Sequence, residues 1–241
     1  MKAIILAAGI GSRLRPLTET SHKSLLPVAE KTMLERMLEN IAKNGIRDVA
    51  IVTGYRENDI RDFAQTYPGL AVSFIHNDQY LNTNTGYSLL LTKEFAAGDD
   101  FVKFDADVVF EPEVLEKLLT SPHATCLCID KNIHLDKEEV KVIADGTDAV
   151  IAVGKKLDPH KSRGESIGIE KIGAEAGIVL FEELERLMQD PANHQEYYDD
   201  SYTTLVEKGI PFHAVDITGM KWVETDTHDD YARAQVLFKN S

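Results

Sequence analysis

The chain opens on a short unbroken apolar run, "KAIILAA" (residues 2–8), the pattern of a strand buried on both faces. The next stretch changes period. In "KTMLERMLENIAKNG" the apolar positions Met33, Leu34, Met37, Leu38 and Ile41 recur near 3.6 residues, which predicts a helix stopped at Gly45. The two patterns then alternate. "RDVAIVTG" predicts a strand, "ENDIRDFAQTYPG" a helix ended by Pro68 and Gly69, "AVSFIHND" a strand and "TGYSLLLTKEFA" a helix. "DFVKFDADVVF" predicts a strand that runs into two aspartates, and "EPEVLEKLLTS" a helix with Pro112 at its start. Alternating strands and helices predict an α/β fold with a doubly wound, mixed but mostly parallel sheet. Its crossovers should be right-handed and its ligand site should lie at the carboxyl ends of the strands.

The pattern after residue 120 is less regular. "TCLCIDK", "VKVIADGTDAVIAVGKKL" and "IGIEKIGAEAGIVLF" read as strands, with "DGTD" turning a hairpin. "FEELERLMQD" and "YDDSYTTLVEKG" read as helices, and "PFHAVDITGMKWVETD" as two short strands. "THDDYARAQVLFKN" reads as a closing helix capped by Thr227. No repeat, low-complexity tract or linker divides the 241 residues, so one domain is expected over 1–241.

Charge narrows the partners. A net charge of −14 argues against nucleic acid and anionic membrane surfaces, both of which attract basic proteins. A phosphate ligand would need local cations or a divalent metal. Cys126 and Cys128, spaced C-x-C, are too few for a disulfide framework or a four-ligand zinc site. Buried thiols on one face of a strand are expected ahead of metal binding. The N-terminal apolar run is too short for a secretory signal, and no stretch approaches the roughly 20 apolar residues of a membrane span. A cytoplasmic protein is expected.

The candidate chemistry begins where the first strand ends, in "LAAGIGSRLRPL". Two glycines let a backbone approach a ligand closely and turn its N–H groups toward phosphate oxygens. A dinucleotide fingerprint would need a third glycine where Leu14 stands, and a P-loop would need a Gly-Lys-Ser/Thr that is absent. A triphosphate clamp remains, with Gly9 to Ser12 wrapping phosphates and Arg13 and Lys23 neutralising them. The plain alternative is a tight turn with solvated arginines, and two glycines alone leave it ahead.

The longer segment "LAAGIGSRLRPLTETSHKSLLPV" resembles the signature of the nucleoside-triphosphate-dependent nucleotidylyltransferases. That signature is a Gly-rich loop ending in [ST]-R, then P-L-T and then P-K-x-[LM]-x-[PV]. Every part is present in order, except that His22 stands where proline usually precedes the lysine. The resemblance implies a Rossmann-like nucleotidyltransferase fold. It also implies that Leu6, Ala7, Ala8, Gly9, Gly11 and Ser12 lie around the nucleotide, that Arg13 grips the triphosphate and that Lys23 contacts the reacting phosphates. Fixed cations there would stabilise charge that builds at the α-phosphorus.

Two acidic segments fit the same family. "FDADVVF" places Asp105 and Asp107 on one face at the end of an apolar strand, where paired carboxylates call for a cation such as Mg²⁺. A helix cap or a surface turn is the alternative. By the resemblance Asp107 is a metal ligand and Asp105 holds the ribose or the groups behind the metal. "WVETDTHDDYARA" resembles the family's closing W-x-[DE]-x-D-T segment, which assigns Asp226 as the second metal ligand, with Glu224 as runner-up. Trp222 is expected to pack in the core beside them.

Three middle segments resemble the small cytidylyltransferases that activate phosphocholine and related headgroups. "HNDQYLNTNTGYSLLL" implies that Asn77, Tyr80, Asn84 and Ser88 lie around the base or the acceptor mouth, with helix capping and loop hydrogen bonds as the alternative for Asn84 and Ser88. "GKKLDPHKSRGESIGIEKI" implies Lys155 or Lys156 as a clamp on the acceptor phosphate, with Glu165 and Ser166 facing the acceptor. "EYYDDSYTTLVEKG" offers Tyr197, Tyr198, Asp199 and Asp200 to surround a cationic amine, although capping and core packing would use the same residue types.

The expected activity is transfer of CMP from CTP to a small phosphorylated or phosphonylated alcohol or amine, such as phosphocholine or 2-aminoethylphosphonate, with Mg²⁺ and release of pyrophosphate. Residues 1–130 would form the nucleotide-binding half, and 131–241 the acceptor-binding and metal-completing half. A sugar-1-phosphate transferase using UTP, dTTP or GTP is the alternative within the class. A glycosyltransferase would share the D-x-D but needs no triphosphate clamp. An inactive regulatory subunit would be expected to lack Arg13, Lys23 or Asp107. A homodimer is left open.

Overall fold

The computed structural model describes residues 1–132 and 137–239. In chain order the first half contains β1 (Lys2–Ala7), α1 (Leu17–Thr20), β2 (Pro27–Val28), β3 (Lys31–Thr32), α2 (Met33–Lys43) and β4 (Asp48–Thr53). It continues with α3 (Glu57–Ala64), β5 (Ala71–His76), α4 (Thr85–Leu90), α5 (Lys93–Ala96), β6 (Phe101–Asp105), β7 (Val108–Phe110) and α6 (Pro112–Thr120). The second half contains β8 (Cys126–Asp130), β9 (Lys141–Ala144), β10 (Val150–Gly154), β11 (Gly164–Ile172) and α7 (Ala174–Met188). It closes with α8 (Asp199–Glu207), β12 (His213–Asp216), β13 (Trp222–Glu224) and α9 (His228–Leu237).

The central sheet is mixed and grows from a parallel block, β6-β1-β4-β5. β11 joins β6 antiparallel and carries β9 and β10 along one path and β8 and β12 along another. The opening run is apolar throughout because β1 is covered on both sides. Ala3, Ile5 and Ala7 pack toward α2, α3 and α6, while Ile4, Leu6 and Ala8 pack toward α4, α7 and α8. Cys126 and Cys128 are buried free thiols on one face of β8. Thr32 and Thr227 begin α2 and α9 with capping boxes.

The structure corrects four local expectations. "IGIEKIGAEAGIVLF" is not all strand: β11 stops at Ile172, and Gly173 caps a helix that buries Ala176, Gly177, Leu180, Phe181 and Leu184 at helical spacing. "TGYSLLLTKEFA" is broken into two short helices, α4 and α5. α3 ends at Ala64, before Pro68 and Gly69. Asp105 and Asp107 do not share a strand face, because β6 ends at Asp105 and the chain turns through Ala106 and Asp107 before β7 begins.

That turn matters for the site. β7 leaves the main sheet and pairs with β13 as a two-stranded antiparallel ribbon, with Glu224 opposite Val108. Beyond this ladder, Thr225 donates to the Asp107 carbonyl from its backbone N and its Oγ1, both at 3.0 Å. Residues 107 and 224–226, far apart in the chain, are thereby sewn together. No helix of the described residues is long and apolar enough to cross a membrane.

Candidate active site

The carboxyl ends of β1 and β6 and the segment after β5 open into one cleft of about 860 Å³. β1 ends in the glycine loop. Gly11 has φ +64°, and a Cβ there would lie 3.0 Å from the Lys23 Cβ, so both its conformation and its contact favour glycine. Its carbonyl accepts from Thr18 Oγ1 at 2.9 Å. Leu14 anchors the loop by packing with Val28, Val109, Val223 and Phe238. The loop is therefore held at its ends while Gly9, Ser12 and Arg13 stay open to the cleft.

His22, the departure from the family pattern, is buried and has a definite task. Its Nδ1 accepts from the Ser24 backbone N at 3.1 Å, which caps the short turn Lys23–Leu25. Burial lowers its pKa to about 4. A neutral imidazole thus fixes the turn from which Lys23 enters the cleft.

Lys23 Nζ stands 2.8 Å from Asp107 Oδ2 and 2.5 Å from Asp226 Oδ1, and Arg13 Nη2 reaches the other oxygen of Asp226 at 2.5 Å. Burial works against the charged lysine, but Asp107 and Asp226 outweigh it and raise its pKa. Burial likewise opposes a charged Asp107, yet Lys23 holds that carboxyl below its usual value. Among the described residues no cation hydrogen-bonds Glu224. Burial, with the negative charges of Asp107 and Asp226, pushes it well up. Oxygens of Asp107, Glu224 and Asp226 all lie within 4.8 Å of one another. Three converging carboxylates with too little positive charge between them form a donor set that suits a hard divalent cation.

The other end of the cleft is lined by Asn77, Tyr80, Asn84, Ser88, Asp105, Lys155, Glu165 and Tyr198. Asn77 is buried and tied to its own loop, donating to Thr83 Oγ1 at 3.0 Å and Ser88 Oγ at 3.1 Å. Asn84 caps α4. The capping reading therefore holds for Asn84, while Ser88 lies within α4 and takes a hydrogen bond from the Asn77 loop; both also stand on the cleft wall. Lys155 Nζ lies 4.6 Å from the centroid of the exposed Tyr197 ring. Lys156 and Asp200 do not line the cleft; their neighbours Lys155 and Asp199 do. Neighbouring residues in the chain point in different directions here, so one member of each pair is turned away.

Glu165 gives a pH prediction. Burial first, then the nearby negative charges of Glu139 and Asp130, raise its pKa to about 7 from 4.5. A raised carboxyl supports folding below its unfolded value, and that support is lost as pH rises through the folded value. Glu165→Gln should therefore match the wild type in stability below about pH 4.5 and exceed it above pH 7, by on the order of 3 kcal/mol. Thermal melts from pH 4.5 to 8 measure this. A variant no more stable than the wild type at pH 8 would contradict it.

Two polar features escaped the sequence reading. Trp222 is not only core: its Nε1 donates to Asp130 Oδ2 at 2.8 Å. Beneath the cleft floor lies a fully buried ion pair, Lys103 Nζ to Glu170 Oε2 at 2.7 Å. Burial pushes Glu170 and Asp199 up, against the pull of the Lys103 ammonium. The signal was present, since each residue interrupts an apolar strand, "FVKFD" and "IGIEKI".

A family model described as nucleotidyl transferase matches residues 2–129. The CMP-5'-(3-aminopropyl)phosphonate synthase of Streptomyces rubellomurinus is 31% identical over 248 residues, covering 99% of this chain and 39% of that protein. The chain thus spans well under half of that relative. The CTP:phosphoglutamine cytidylyltransferase of Campylobacter jejuni is 27% identical, over 95% of this chain and 97% of its own. Among solved structures, the CTP:phosphocholine cytidylyltransferase of Streptococcus pneumoniae superposes with a TM-score of 0.79 at 24% identity, covering 99% of each chain, which bears on the fold alone.

Proposed function

The chain belongs to the nucleotidyl transferase family, and on that footing we propose that it transfers CMP from CTP to a small phosphorylated or phosphonylated alcohol or amine, releasing pyrophosphate. The observation that carries this reading is the meeting of Arg13 and Lys23 with Asp107, Glu224 and Asp226 at the mouth of the glycine loop. The loop from Gly9 to Ser12 would offer backbone N–H groups to the triphosphate, and Arg13 and Lys23 would meet the charge that grows on the α-phosphoryl oxygens. An acceptor phosphate or phosphonate oxygen would form the new bond to the α-phosphorus as the bond to the β-phosphate bridge breaks. Asp107 and Asp226, with Glu224 beside them, would hold Mg²⁺. Bound there, the ion would screen the two anions that must approach each other. Residues 1–130 would serve the nucleotide and residues 131–241 the acceptor and the completion of the metal site.

The nitrogen-bearing acceptor rests on the far end of the cleft. Glu165, Tyr197, Tyr198 and Asp199 line it together, an acidic and aromatic surface suited to an ammonium group, and Lys155 on the same wall would meet the phosphate. The aminopropylphosphonate and phosphoglutamine in the relatives' names point the same way. The test is pyrophosphate release with Mg²⁺, screening CTP, UTP, GTP, dTTP and ATP against phosphocholine, phosphoethanolamine, 2-aminoethylphosphonate and a set of sugar 1-phosphates. Release with CTP and an amine-bearing acceptor is expected. Release only with a sugar 1-phosphate and another nucleotide would overturn both donor and acceptor, and no release with any pair would count against the transfer itself.

A further inference from the structure

We propose that Lys103 is a positioning residue for the cleft, and that its buried pair with Glu170 serves to fix Asp105 and Tyr198 rather than to stabilise the fold. The proposal rests on the cleft being the reaction site. Lys103 itself is fully buried and does not line the cleft, so it acts only through its neighbours. Its Nζ meets Glu170 at 2.7 Å, Asp105 Oδ2 at 3.1 Å and the Gly168 carbonyl at 3.2 Å. It also contacts the Tyr198 hydroxyl and lies 3.7 Å from the centroid of that ring. Tyr198 in turn donates to the same Asp105 oxygen.

A third element holds Asp105 from the far side. β11 is irregular in its pairing with β8 between Ser166 and Glu170, and Gly168 within that stretch has φ +74°. A Cβ on Gly168 would come within 2.4 Å of Asp105 Oδ2, so the carboxylate occupies space that only glycine leaves. One Asp105 oxygen is thus clasped by Lys103 and Tyr198. The other, Oδ1, has no hydrogen-bond partner among the described residues. An ammonium and a carboxylate fully buried against each other add little stability over an apolar pair of the same size. What they supply is an anchored carboxylate at the cleft floor.

The double variant Lys103→Met/Glu170→Met separates the two roles. Lys103→Met alone leaves Glu170 buried without a counter-charge and should lower the melting temperature by roughly 10 °C. The double variant leaves only the part-exposed Asp105 without its ammonium and should recover most of that loss. Its kcat/KM, measured with CTP, Mg²⁺ and phosphocholine, should stay reduced on the order of 10²-fold, and its crystal structure should show the Asp105 carboxylate displaced from Tyr198. Wild-type kcat/KM in the double variant overturns the proposal. So does Asp105 found in its original place, and so does a double variant that does not fold, since the pair would then serve stability. If the wild type turns over none of the amine-bearing acceptors, the acceptor reading fails, and the crystallographic comparison decides the positioning role by itself.

Discussion

Asp107→Ala is expected to lower turnover by on the order of 10²–10³ while leaving the melting temperature close to that of the wild type. The main-chain contacts at this position survive the change, because Thr225 binds the Asp107 carbonyl and not its carboxylate. Lys23 keeps Asp226 as a partner, so no buried charge is stranded. The loss of one carboxylate also relieves the crowding that raises Glu224. What disappears is a side chain that converges with Glu224 and Asp226 at the mouth of the glycine loop. Pyrophosphate release and a thermal melt on the same preparation measure both halves. A near wild-type rate would remove the acidic cluster from the mechanism.

Lys23→Gln is expected to act in two opposite directions. Turnover should fall by on the order of 10²–10³, because the contact to the reacting phosphates is lost. Binding of Mn²⁺ in the absence of nucleotide should strengthen, by about tenfold or more, because an ammonium no longer stands between Asp107 and Asp226. In the unliganded protein Lys23 supplies the positive charge that those carboxylates need. A neutral amide leaves the deficit to be met by a metal. Mn²⁺ titration followed by electron paramagnetic resonance reads this without any substrate. Unchanged Mn²⁺ affinity would show that the lysine and the metal do not share these carboxylates.

Much of the first half of the molecule was legible in the sequence because its signals are local. The change from an unbroken apolar run to a 3.6-residue period separates β1 from α2, and the glycine loop follows directly on β1. The second half was harder for a physical reason. "IGIEKIGAEAGIVLF" is apolar on both sides of Gly173, so neither period shows through the transition from β11 to α7. At the site, Asp107, Asp226 and Lys23 were found by their segments, but the way Glu224 joins them depends on a ribbon of two three-residue strands. Lys103 and Glu170 were visible as misplaced charges in the sequence. Their partnership was not, since nothing local in the chain says that β11 will lie against β6.

That partnership also bears on how the chain reaches its fold. β11 borders β6, β8 and β9 and is buried along its whole length, so apolar content alone hardly distinguishes one alignment from another. In the native alignment Glu170 lies directly opposite Lys103. A slip of two residues keeps the same faces inward but sets Lys103 against Gly168 or Ile172, leaving an ammonium and a carboxylate buried apart at a cost of several kcal/mol. The slipped alignment would carry that charge error and the native one does not, so the pair favours the native register without adding to native stability.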